Sequence, residues 1–225
     1  MEVLHLPAAA EVNRPIPKKK IYENAGLSRK QQKEFGDTIQ QVTWKYKLAE
    51  NTIGISGTGR VEEIHVFDIN LKEKVYPKRQ LTIIDSIIPY PILYILHHEN
   101  SMAYGIALKS GTNIERYYFS DWNREMHFDF MGITLENVYE KIVRVFLPKA
   151  IQQLENFSEA ITLDSTIRYL DAEIALLEKS IAKEKQFNRK VELNKVLLNK
   201  RKSLLGLRNN IIKSQNETFD ARDID

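Results

Sequence analysis

The sequence predicts an α+β protein: a mostly antiparallel mixed sheet with packed helices, followed by a C-terminal helical hairpin or coiled coil. Three observations predict it. Short runs rich in β-branched and aromatic residues recur between residues 42 and 120, several joined by linkers of three or four residues. Apolar residues spaced by three and four mark helices near 78–88 and after Thr134. Beyond about residue 148 the apolar spacing becomes that of a heptad. The first two features set a domain over 1–147, and the third sets a helical region over 148–225.

Taken in order, residues 1 to about 20 carry Pro7, Pro15 and Pro17 and read as extended, ending in the triplet Lys18, Lys19, Lys20. A polar surface helix is predicted over 28–42, with Ser28 as its N-cap. Strands are expected at 42–49, 51–56 and 61–71, with a turn in SGTG at 56–59. A helix over 78–88 turns Leu81, Ile84 and Ile88 inward and stops at Pro89. Three more strands follow at 91–98, 102–109 and 114–120, with linkers short enough for hairpins. The helix after Thr134 points Leu135, Val138, Ile142 and Val145 inward. Consecutive hairpin-linked strands place the helices on one side of the sheet.

In the tail, Ile167, Leu170, Ile174, Leu177 and Ile181 form one heptad seam. Apolar doublets then recur every seven residues at Leu197-Leu198, Leu204-Leu205 and Ile211-Ile212. An antiparallel hairpin closing near Asn188 would bury the two seams against each other. A single long helix that forms a homodimer fits the same heptads, but 186–190 offers only Phe187 as an apolar seam residue, which favours the hairpin. The last residues, from Asn216, are expected to fray.

The 225 residues hold no cysteine, which excludes disulfides and thiolate metal sites and fits a cytoplasmic location. No apolar run reaches the roughly 18 to 20 residues of a membrane span, and the first residues lack the pattern of a secretory signal. The overall charge of +3 is mild, but its distribution is lopsided. Between Lys179 and Lys213 eleven basic residues stand against two acids, a surplus of nine, which leaves the rest of the chain acidic. Such a segment suits phosphate contact. Lys195, Lys200, Arg201, Lys202 and Arg208 are therefore the first candidates for DNA binding, with Lys18, Lys19 and Lys20 second.

The stretch VEEIHVFDINLK, 61–72, carries the catalytic alternative. Nucleases of the restriction-endonuclease-like kind hold Mg²⁺ with two acids and orient the attacking water with a lysine. Glu62 or Glu63 with Asp68 would supply the acids, and Lys72 or Lys109 the lysine. Alternation along a strand counts against this, since Glu63 and Asp68 then face opposite ways. Three residues separate Asp68 from Lys72, where that chemistry uses one. The pair His97–His98 faces apart for the same reason, and His65 beside Glu63 reads as a satisfied core histidine. No P-loop, dinucleotide fingerprint, zincin helix or nucleophile elbow occurs, and no metal or cofactor is expected.

Six blocks in order, NRPIPKKKIYEN, WKYKLAENTIGI, VEEIHVFDINLK, IDSIIPYPILYIL, AYGIALK and RYYFSDW, resemble a bacterial domain-of-unknown-function family over roughly residues 5–147 and a less distinctive helical tail. The resemblance implies an encoding beside DNA methyltransferases and helicase-type restriction subunits, in loci of restriction-modification or phage defence. It implies no catalytic residues. The expectation is an accessory, non-catalytic subunit that binds DNA and a methyltransferase or helicase partner. The alternatives are the Mg²⁺-dependent nuclease and a structural adaptor that dimerises through its tail.

Overall fold

Six strands form one sheet in the order β1-β2-β3-β4-β5-β6: Glu11–Pro15, Ile39–Leu48, Ile64–Leu71, Ile92–His98, Ser101–Ser110 and Asn113–Phe119. The computed structural model describes residues 4–220, with side chains through Asn209. All neighbours run antiparallel except β3 and β4, which are parallel. Helix α4, Lys78–Ile87, makes the crossover that a parallel pair requires. The chain divides into two compact units, Met1–Phe146 and Leu147–Asp225.

Both faces of the central strands are buried, because β3 and β4 carry apolar side chains at nearly every position. On one face Phe67, Ile69, Tyr94 and Leu96 pack with Ile21 of α1 (Lys18–Asn24), Phe35 of α2 (Arg29–Thr38) and Leu81 and Ile84 of α4. On the other, Tyr104 of β5 meets Phe128, which in turn meets Phe146. Helix α5, Leu135–Arg144, buries Leu135, Val138, Tyr139, Ile142 and Val143. Helices on one side alone, as the hairpin pattern suggested, would have left Ile64, Val66 and Ile95 wet.

Three local expectations are corrected. The N-terminal stretch is not merely extended: β1 pairs with β2, and α1 begins directly after Pro17, which stands at its N-cap in an extended conformation. Helix α2 ends at Thr38 rather than 42, and β2 starts at Ile39. The Ser28 cap holds, with its hydroxyl accepting from Gln31 N and its own N–H donating to the Gln31 side chain. The run NTIGIS is not a strand. Residues Glu50–Ile53 form a one-turn helix, α3. Thr52 Oγ1 accepts from Ala49 N and donates to the Lys47 and Ala49 carbonyls, and Gly54 closes the turn with φ +72°.

In the second unit, a short helix α6, Lys149–Gln152, precedes two long ones, α7, Phe157–Lys183, and α8, Phe187–Asp220. They form an antiparallel hairpin joined at 184–186, slightly before the predicted break. Ile167 and Leu170 of α7 and Leu197 and Leu204 of α8 are buried in its seam. The side chains of Ile211 and Ile212 lie outside the described residues, as do 221–225 of the segment expected to fray. Among the described residues no helix is long and apolar enough to cross a membrane.

Candidate functional site

Strand β3 separates the residues of the nuclease alternative. Glu63, just before the strand, bonds Lys47 Nζ at 2.7 Å and His65 Nε2 at 3.0 Å. His65 stacks with Phe67 on the α1/α4 face. Asp68 pairs instead with His97 of β4 at 3.2 Å, on the opposite face. Lys72 lies past the end of β3, its N–H donating to Thr38 O. Among the described residues no three of His, Asp and Glu cluster as metal ligands would.

Lys109 belongs to a different construction altogether. Its ammonium donates to Asp85 Oδ1 at 2.9 Å and to the carbonyls of Asp85 and Ile88 at 3.1 and 2.7 Å. Tyr94 and Tyr117 donate to Asp85 Oδ2 at 2.9 and 2.6 Å. The side chains of Asp85 and Lys109 are wholly buried. All three ammonium protons and both carboxylate oxygens are thus engaged, and the lysine caps carbonyls at the end of α4. This cluster has no free valence for chemistry and serves as a fastener. Asp85 falls four residues after Leu81, on the inward stripe of α4, and that placement was a signal the sequence did offer.

A cavity of about 380 Å³ opens on the α1/α4 face. Its wall is aromatic and aliphatic, built from Trp44 of β2, His65 and Phe67 of β3, Ile84, Ile87 and Ile88 of α4 and its C-terminal end, and Tyr90. A bulge between Trp44 and Tyr46 shifts the register of β2 beside the cavity. Trp44 lies 4.7 Å from His65, centroid to centroid, and Tyr90 lies 5.3 Å from it. The polar groups of the lining residues are those of His65, Arg14, Lys20 and Asn24 with the Tyr90 hydroxyl and the Trp44 indole N–H, and no carboxylate is among them.

His65 is the unusual member. Burial pulls its imidazole below the ordinary histidine range, with the bond to Glu63 opposing that shift. A neutral ring beside a carboxylate, which can only accept, carries its proton on Nε2. Nδ1 is then a bare lone pair, and it is buried with no hydrogen-bond partner among the described residues. A satisfied core histidine, as expected from sequence, would have used both nitrogens. Leaving a buried acceptor unmet costs about 1–3 kcal/mol, so such groups are uncommon and often functional.

The basic candidates of the tail are placed unevenly. Lys200 pairs with Glu173 at 2.7 Å, Arg201 with Glu178 at 2.7 Å, and Arg208 with Asp171 at 3.4 Å, all across the hairpin. Lys195 and Lys202 are exposed and have no ion-pair partner among the described residues. The charge surplus read from 179–213 took one arm without its partner. Over both arms, 157–209, eleven basic residues meet seven acids. The doublets also divide: Leu197 is buried at 6% exposure, whereas Leu198 is 63% exposed and aligns at heptad spacing with exposed Val191 and Leu205. In the N-terminal triplet, Lys18 Nζ donates to Ile39 O, Lys19 lies 3.7 Å from Glu23, and Lys20 lines the cavity.

A family model described as a domain of unknown function (DUF4391) matches residues 4–204, and the chain belongs to that family. Neither curated proteins nor solved structures gave a match.

Proposed function

We propose, with that family membership as the premise, that the chain is a non-catalytic accessory subunit of a bacterial DNA restriction or phage-defence complex. Its helical hairpin holds a methyltransferase or helicase partner and touches the DNA that the partner carries. The observation that supports this is the outward stripe of α8. Val191, Leu198 and Leu205 repeat every seven residues on the solvent side, and an exposed heptad stripe is the surface a partner helix covers. Lys195 and Lys202 border it, without an ion-pair partner among the described residues, where DNA phosphates would be met. The nuclease alternative gains no support from Glu63 and Asp68, which are committed to different partners on opposite faces of the sheet.

The test measures retention of labelled duplex DNA by the full chain, with and without the co-expressed methyltransferase or helicase subunit, across a range of salt. Replacing Lys195 and Lys202 together by Glu is expected to lower the salt slope by about two, since each lost phosphate contact removes about 0.9. Leu198→Glu with Leu205→Glu is expected to abolish co-purification with that subunit and leave the fold intact. Unchanged salt dependence together with unchanged co-purification would overturn the proposal.

A further inference from the structure

The function proposed for the hairpin makes no use of the cavity on the α1/α4 face of the first unit. Its chemistry is one-sided in three ways. The walls offer flat rings: Trp44, Phe67 and Tyr90 surround His65. The indole N–H of Trp44 already donates to Tyr46 O at 2.9 Å, so the indole meets a guest through its ring and not through a hydrogen bond. The buried polar atom is an acceptor alone, Nδ1 of His65, whose side chain is 8% exposed. At the exposed end stand two cations, Arg14 and Lys20, neither with an ion-pair partner among the described residues. A guest that satisfies all three has a flat ring, a donor on that ring, and an anionic group at the other end.

We infer that the cavity takes one nucleoside monophosphate unit. The base lies against the aromatic wall and donates an edge N–H to His65 Nδ1, while the phosphate meets Arg14 and Lys20. Base–aromatic contact and paired cations on phosphate are each ordinary devices of such recognition. Nδ1 has no partner among the described residues, and an N–H from the guest would satisfy it. About 380 Å³ is at the small end of ligand cavities, room for one nucleotide unit rather than a dinucleotide. A phenyl phosphate has the ring and the anion but no ring donor, and that difference isolates the role of His65. The inference stands without the hairpin reading and concerns the other unit of the chain.

The experiment is calorimetric titration of the full chain with the four deoxynucleoside 5′-monophosphates, the deoxynucleosides, phenyl phosphate, inorganic phosphate and 5′-phosphorylated dinucleotides. At least one monophosphate is expected to bind, with its deoxynucleoside and phenyl phosphate each about tenfold weaker or more. Arg14→Gln with Lys20→Gln, both at exposed positions where substitution leaves the core intact, is expected to reduce the monophosphate to the level of the deoxynucleoside. His65→Phe keeps a ring in the wall and is expected to erase the preference over phenyl phosphate. A dinucleotide that binds more tightly than its monophosphate assigns the unit to a DNA strand end, and the reverse assigns it to a free nucleotide. Failure of every monophosphate to bind, or phenyl phosphate binding equally well, overturns the inference. Neither result touches DNA retention by the hairpin.

Discussion

Replacing Lys109 by Met is the sharpest test of how the first unit is fastened. Methionine keeps the unbranched stem and roughly its volume, so little void is created. What disappears is the ammonium. Asp85 then holds a fully buried carboxylate with only the Tyr94 and Tyr117 hydroxyls to stabilise it, and the carbonyls of Asp85 and Ile88 lose their donor. Removing one partner of a buried pair costs about 3–5 kcal/mol. Both tryptophans, Trp44 and Trp122, lie within Met1–Phe146, so urea unfolding followed by tryptophan fluorescence reads this unit alone. The unfolding free energy should fall by that amount, which lowers the urea midpoint at an unchanged slope. Adding Asp85→Asn, which removes the stranded charge and still accepts from both tyrosines, should recover the larger part. A loss under about 1 kcal/mol in the single variant, or no recovery in the double, would refute an uncompensated charge as the cause.

Alkaline stability follows from the same region. Burial, chiefly, with Asp85 adding to it, holds the Tyr94, Tyr117 and Tyr139 hydroxyls above the ordinary tyrosine range. A raised folded pKa means stability that is complete below the unfolded value near 10 and is lost as pH rises past it. The decline approaches about 1.4 kcal/mol per pH unit for each group. Absorbance at 295 nm should show these three of the ten tyrosines ionising only on unfolding. In the hairpin, Leu197→Ala should cost about 2–5 kcal/mol while Leu198→Ala stays within about 0.5, measured by thermal melts, because only the first is buried. Gly105→Ala places a Cβ 2.8 Å from the Phe119 ring across the β5–β6 pair. It should cost about 1–3 kcal/mol by urea unfolding, and a neutral result would mean that Phe119 can move.

Much of this architecture was legible from the residues. Strands β3 to β6, helices α4 and α5 and the hairpin all lie where alternation, three-and-four spacing and heptads put them, since each buries its own apolar stripe. The misses share a physical cause, which is that a partner elsewhere in the chain decided the outcome. Strand β1, EVNRP, has no apolar alternation and exists because β2 supplies its ladder. NTIGIS has strand composition, yet Thr52 gives the backbone a local hydrogen-bonding alternative. The basic excess of α8 looked uncompensated because its acids, Asp171, Glu173 and Glu178, sit on the other arm. The cavity was invisible for the same reason: Arg14, Lys20, Trp44, His65 and Tyr90 come from five separate segments.

The single parallel seam between β3 and β4 gives the first unit a bipartite character. On either side of it lies a three-stranded antiparallel meander in chain order, β1 to β3 and β4 to β6. The fastener of Asp85, Lys109, Tyr94 and Tyr117 lies wholly in the later half, so its bonds bolt α4 to β4, β5 and β6. The stretch from Glu73 to Tyr76 is where the two halves are joined covalently, and none of these bonds crosses it. A chain severed there would keep every antiparallel ladder and the whole ionic lock, and on reassociation would re-form the parallel ladder, the shared core and the polar contacts between the halves, among them Asp68 with His97 and Arg60 with Glu136. The sheet is built as two modules welded along one line.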